Sequence, residues 1–163
     1  SPVTPAKAYD HWLFHGPALQ TIEEIVSLTD NQVIGRLRST RPREFGLTTP
    51  GATWLFDPGL IDGATQLVCL WARHHRDLSN LATAMASLER FGDDAPAGEM
   101  TIVIDFLAAP DDPLVACDFR IIDDAGRLRL RGRQFQATSS GELNRMIAFG
   151  FRRRKSPPQA RSR

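Results

Sequence analysis

One stretch, residues 58–73, constrains this chain more than any other. Leu60, Ile61, Ala64, Leu67, Val68 and Trp71 recur at helical spacing and cover most of a helix circumference, leaving a narrow stripe of Asp62, Gln66, Cys69 and Arg73. A helix apolar on so many sides belongs at the centre of a fold, enclosed by other structure. Pro58 falls in the first turn, where its missing N–H removes no intrahelical bond, and His74-His75-Arg76 suits the negative end of the helix dipole.

Around this helix the pattern is that of strands. Residues 21–28 and 32–40 flank the polar turn Thr29-Asp30-Asn31 and predict an antiparallel pair. Further strands are predicted at 84–91, 100–108, 114–122 and 127–138, bounded by Gly92-Asp93-Asp94, Pro110-Asp111-Asp112-Pro113 and Asp123-Asp124-Ala125-Gly126. Residues 41–53 carry Pro42, Gly46, Pro50 and Gly51 and read as a surface loop. Two strands, one long helix and then a run of strands predict an α+β fold, an antiparallel sheet against a central helix, rather than alternating βαβ units.

A chain of 163 residues with 42% apolar content supports one core. Its formal charge of +1 supplies no general field for nucleic acid or for an anionic membrane. The basic, proline-containing stretch at 151–163 has little to bury and reads as a solvated linker; residues 1–8 read as a linker or cloning scar, leaving 9–150 as the domain. Cys69 and Cys117 form neither a disulfide framework nor a metal-ligand spacing, and His74-His75 lacks accompanying ligands, so no metal is expected. With no apolar run of about 18 residues and no secretory signal, the chain is expected to be cytoplasmic. The arginines at 127, 129, 131 and 133 read as a solvated strand face.

Asp62 and Gln66 stand four residues apart, so carboxylate and amide share one helical face. Burying that face costs free energy unless the groups are paired or used. Two readings stay open: Asp62 favours the positive end of the helix while Gln66 bonds a nearby backbone, or the pair performs chemistry.

The segment before the first predicted strand reads Tyr9-Asp10-His11-Trp12-Leu13-Phe14-His15-Gly16-Pro17-Ala18-Leu19-Gln20. Taken with the helix some forty residues later, it resembles the Leu-Phe-His-Gly-Pro-x-Phe-Gln opening of the C-terminal half of polyketide synthase dehydratase domains, whose Asp-x-x-x-Gln motif is similar to Asp62 to Gln66. The likeness continues through Leu81-Ala82-Thr83 to Gly141-Glu142-Leu143-Asn144-Arg145, which is similar to the closing helix of dehydratases in iterative and polyunsaturated fatty-acid type synthases. Leu19 stands for the family's phenylalanine and Ala82 for its proline. None of His11, His15, His74 and His75 begins the His-x-x-x-Gly-x-x-x-x-Pro motif that carries the family's base.

The resemblance implies a hot-dog fold, a sheet wrapped around one long helix, forming half of a double hot-dog. It implies a hydro-lyase of polyketide or fatty-acid biosynthesis that removes water from a β-hydroxyacyl thioester. Asp62 would protonate the leaving hydroxyl, Gln66 would orient it, and His15, Gly16 and Pro17 would line the substrate tunnel. The base would lie on an N-terminal hot-dog half. The other partner would be an acyl carrier protein, whose phosphopantetheine carries the substrate with no further cofactor. The isolated half is expected to be inactive and to self-associate as a homodimer through its uncovered face. The competing expectation is a non-catalytic scaffold or carrier-binding module.

Overall fold

The computed structural model describes residues 3–107 and 114–155. Its central element, α2, is a 19-residue helix, Pro58–Arg76, three residues longer than the sequence predicts. The Asp57 carboxylate caps its first turn by accepting from the N–H groups of Gly59 and Leu60. At the other end Asp77 turns left-handed at φ 52 and its N–H closes on the carbonyls of Ala72 and Arg73. Leu60, Ala64, Leu67, Val68, Leu70, Trp71 and Ala72 are buried all round the helix, as its apolar circumference requires. Trp71 stacks on Phe106 with ring centroids 3.9 Å apart and donates its indole N–H to Thr29 O at 2.9 Å.

Seven strands enclose α2: β1 (Ile22–Leu28), β2 (Gln32–Arg38), β3 (Ser79–Ala84), β4 (Ser87–Arg90), β5 (Glu99–Phe106), β6 (Leu114–Asp123) and β7 (Leu128–Ser140). All their pairings are antiparallel, in the order β1-β2-β5-β6-β7-β3, with β4 also on β7. Val33 and Leu37 of β2 and Met100, Ile102 and Ile104 of β5 alternate into the core beneath the helix. This is the α+β arrangement that the sequence predicts.

The strand predicted over 84–91 is instead two short strands, because β7 bends. Gln134 takes φ 49, its N–H held by Asp118 Oδ1 at 2.7 Å, and the register against β6 slips between Cys117 and Phe119. β4 therefore pairs with residues 130–133 and β3 with 136–140. Residues 5–8, assigned to a linker by sequence, belong to the helix α1 (Pro5–His11): Thr4 Oγ1 accepts from Lys7 N at 3.3 Å and Ala8 is fully buried. At the far end α3 (Gly141–Lys155) takes in residues 151–155 of the stretch read as a tail. Residues 156–163, and the turn signal at 110–113, lie outside the described residues. Asn144 of α3 clamps the α2–β3 corner, donating to Asp77 O and accepting from Ser79 N, each at 2.6 Å.

Candidate active site

The stripe on α2 that carries no apolar residue faces α1 and the turn that follows it. Gly16-Pro17 opens a 3-10 turn, Pro17–Leu19, which Gln20 secures by donating its side-chain amide to His15 O at 3.1 Å. The turn aims Leu19 O at Gln66, whose Nε2 donates to it at 2.7 Å. The same Nε2 donates to Asp62 Oδ2 at 2.6 Å, so the spacing of four residues brings the two groups into direct contact. His15 Nε2 lies 3.4 Å from that oxygen, and the His15 ring stacks on Phe14 at 4.6 Å.

Tyr9 completes the group. Its hydroxyl donates to Gln66 Oε1 at 2.7 Å and accepts from Ile22 N at 3.1 Å. Burial pushes its phenol up to about 12, so the hydroxyl keeps its proton across the physiological range. Sequence reading quoted Tyr9 but gave it no role. The signal that would have found it was the helix start Thr4-Pro5, an N-cap followed by proline at the first position, which puts Tyr9 on an ordered helix.

Gln66 is wholly buried and uses its oxygen and both hydrogens of its nitrogen. Asp62 keeps a side chain 29% exposed, and among the described residues its Oδ1 carries no hydrogen bond. A carboxyl group held at one oxygen and open at the other can exchange a proton with a bound molecule.

Cys69, the next residue on the stripe, donates its thiol to Asn80 Oδ1 at 2.7 Å, and burial pushes it up to about 11. It is a neutral lining group rather than a nucleophile. Gly16 has open space where a Cβ would stand, so this side of the turn is unfilled by the chain itself. Pro17 O accepts from Gln20 N at 3.3 Å, closing the turn, and takes a longer contact of 3.5 Å from Arg38. His74 and His75 stand at the opposite end of α2, where His75 meets Asp30 at 3.4 Å. Burial holds the His75 imidazole below its ordinary value. Among the described residues no three histidine, cysteine or acidic side chains group as metal ligands, and no helix is long and apolar enough to cross a membrane.

A cleft of about 450 Å³ lies elsewhere, between the 39–57 loop and residues 95–98. Its lining carboxylate, Asp57, is consumed by the helix cap and by Thr40. Proton-transfer chemistry is therefore better served at Asp62.

Comparison with known proteins follows the same lines. A family profile described as the polyketide synthase dehydratase N-terminal domain matches residues 1–146. Among solved structures, the bifunctional dehydratase-cyclase domain of ambruticin biosynthesis superposes with a TM-score of 0.60 at 16% identity, covering 77% of this chain and 42% of that one. GphF dehydratase 1 gives 0.60 at 19% identity, covering 76% and 44%. A hypothetical thioesterase from Streptococcus pneumoniae TIGR4, solved with coenzyme A, gives 0.56 at 16% identity, covering 76% and 89%. The chain thus spans less than half the length of the dehydratase structures it matches. These likenesses establish the hot-dog fold. No curated protein sequence matches the chain.

Proposed function

This chain belongs to the polyketide synthase dehydratase family, and from that membership we propose that it is the Asp-bearing, C-terminal half of such a dehydratase. The matching profile is described as an N-terminal domain. What supports the C-terminal reading is the motif: the central helix carries Asp62 and Gln66 in contact, while the sequence contains no His-x-x-x-Gly-x-x-x-x-Pro.

In this reading a β-hydroxyacyl thioester enters on the phosphopantetheine of an acyl carrier protein and lies along the open side of Gly16-Pro17. A histidine of the N-terminal hot-dog half removes the α-proton, and that C–H electron pair becomes the new carbon–carbon double bond. The β-carbon–oxygen bond breaks as Asp62 gives its proton to the hydroxyl, which leaves as water. Gln66 holds Asp62 by one oxygen throughout, and His15 borders the same oxygen.

The partner half would seat at the β3 edge of the sheet. There Leu81 is 50% exposed, and Ala82, Thr83 and Ala84 continue the open strand beside Cys69 and Asn80. In its absence two copies would meet at that edge as a homodimer without a base.

The single observation that carries the reading is the 2.6 Å contact from Gln66 to a carboxyl group whose other oxygen is open. Its test is Asp62→Asn in the complete two-half domain. Dehydration of a β-hydroxyacyl-carrier substrate should fall by about a thousandfold, within the range for loss of a general acid or base. Full turnover by that variant would sink the assignment and leave the scaffold reading in its place.

A further inference from the structure

Gln66 can be turned in its site in only one way. Leu19 O is an acceptor and nothing else, so the amide nitrogen must face it, and the Tyr9 hydroxyl settles the other side. That hydroxyl has one proton. Because it already accepts from Ile22 N, its proton goes to Gln66 Oε1. The reversed amide would set Oε1 against Leu19 O and Asp62 Oδ2 and would take from the Tyr9 hydroxyl the acceptor of its proton.

We infer that Tyr9 is a positioning residue for the acid: with Leu19 O it fixes the Gln66 amide, so that Gln66 always donates to Asp62 Oδ2 and the acidic proton is confined to Oδ1. The inference deepens the proposed function and rests on its reading of Asp62 as the acid. Oδ2 receives one amide hydrogen at 2.6 Å with the His15 ring beside it, so a proton placed on that oxygen would oppose the Gln66 N–H. Oδ1 is the oxygen without a hydrogen bond among the described residues, and the proton it carries is the one a leaving hydroxyl can receive. The Tyr9 hydroxyl bonds Gln66 and Ile22, and among the described residues no hydrogen bond joins it to Asp62. It acts through Gln66, and its place on α1 ties the acid to an element outside the central helix.

Removing the hydroxyl leaves Gln66 Oε1 buried without a donor, and the amide then rotates away from Leu19 O and Asp62 to find one. Tyr9 is the chain's one tyrosine, which makes the test clean. Growth on 3-fluorotyrosine replaces that residue alone with a phenol of the same shape and stronger donation. The readout is the pair of Gln66 side-chain N–H resonances in a ¹⁵N spectrum of the chain, which needs no turnover. The fluorophenol is expected to shift them one way and Tyr9→Phe the other, with exchange against solvent faster in Tyr9→Phe. In the complete domain Tyr9→Phe should lower kcat about tenfold with KM unchanged, the signature of a displaced catalytic group.

Gln66 resonances unmoved by either replacement would overturn the inference, as would a Tyr9→Phe enzyme whose loss lay entirely in KM. If Tyr9→Phe failed to fold, the fluorotyrosine arm would still decide. Failure of the underlying reading is told apart by Asp62→Asn, whose undiminished turnover would remove the acid role whatever the amide resonances did.

Discussion

Asp57 and Asp62 stand five positions apart at the same end of one helix and have opposite fates. Asp57 is 2% exposed and fully engaged: it accepts from Thr40 N at 2.6 Å, Thr40 Oγ1 at 2.5 Å, Gly59 N at 2.8 Å and Leu60 N at 3.4 Å. Among the described residues Asp62 accepts one short side-chain hydrogen bond, from Gln66, and its other oxygen carries none. A carboxylate bonded at both oxygens fixes a backbone; one with an oxygen to spare can act on something else. Proximity to a cleft is a poorer guide, since it is Asp57 that lines the 450 Å³ one.

Substitutions can break this comparison. The largest contrast expected is between Asp62→Asn, with its thousandfold loss of turnover and a melting temperature within about 2 °C of the parent, and Asp57→Ala, which should fold poorly. Loss of the cap together with stranded Thr40 donors should cost Asp57→Ala about 3 kcal/mol, read from urea unfolding midpoints. A stable Asp57→Ala protein would mean that the buried acceptor network is worth less than its geometry implies.

Next comes Gly59→Ala. A Cβ there would lie 2.2 Å from Thr40 Cγ2, so the helix and the segment that follows β2 must separate, at about 2 kcal/mol. Because the displacement would carry Asp62 with it, turnover in the complete domain should fall along with stability. An equally stable, equally active Gly59→Ala would show that α2 is free to slide.

The smallest effect is alkaline. The Tyr9 phenol is held up at about 12 against an ordinary 10, and the Cys69 thiol at about 11 against 9, both by burial. The folded state therefore keeps protons that the unfolded chain has released. The stability tied to these groups is whole below pH 9 and drains away as pH rises through about 11 and 12. Absorbance of the lone tyrosine should record its ionisation near pH 12, and Cys69→Ala should delay the onset of the stability loss. A tyrosine titrating near pH 10 would contradict the burial that holds its phenol up.

The central helix and its polar stripe were legible because both follow from one period, 3.6 residues, read over a long stretch. Asp62 and Gln66 could be placed on one face from spacing alone. That Leu19 O would meet Gln66 was not legible, since it depends on the path of a 3-10 turn 47 residues away in sequence. Residues 79–84 are not legible as a strand because Ser79-Asn80-Leu81-Ala82-Thr83-Ala84, at a sheet edge with four of the six exposed, shows no alternation. The break before β4 was equally hidden, because the bend that causes it sits on the partner strand at Gln134. Local patterns expose elements; the contacts that turn an acid and an amide into a site are long-range.

The tight seat of α2 has a consequence for anyone redesigning this protein. Added Cβ atoms at Gly59 and Gly63 would lie 2.2 Å from Thr40 and 2.8 Å from Thr21, so the helix floor offers no room for variation. The opposite wall is different. A Cβ added at Gly16 meets nothing within 4 Å. On the proposed function, libraries that aim to alter acyl-group selection should concentrate on the turn at 14–18 and leave the helix untouched. The acid then keeps its reference frame while the space in front of it is redrawn.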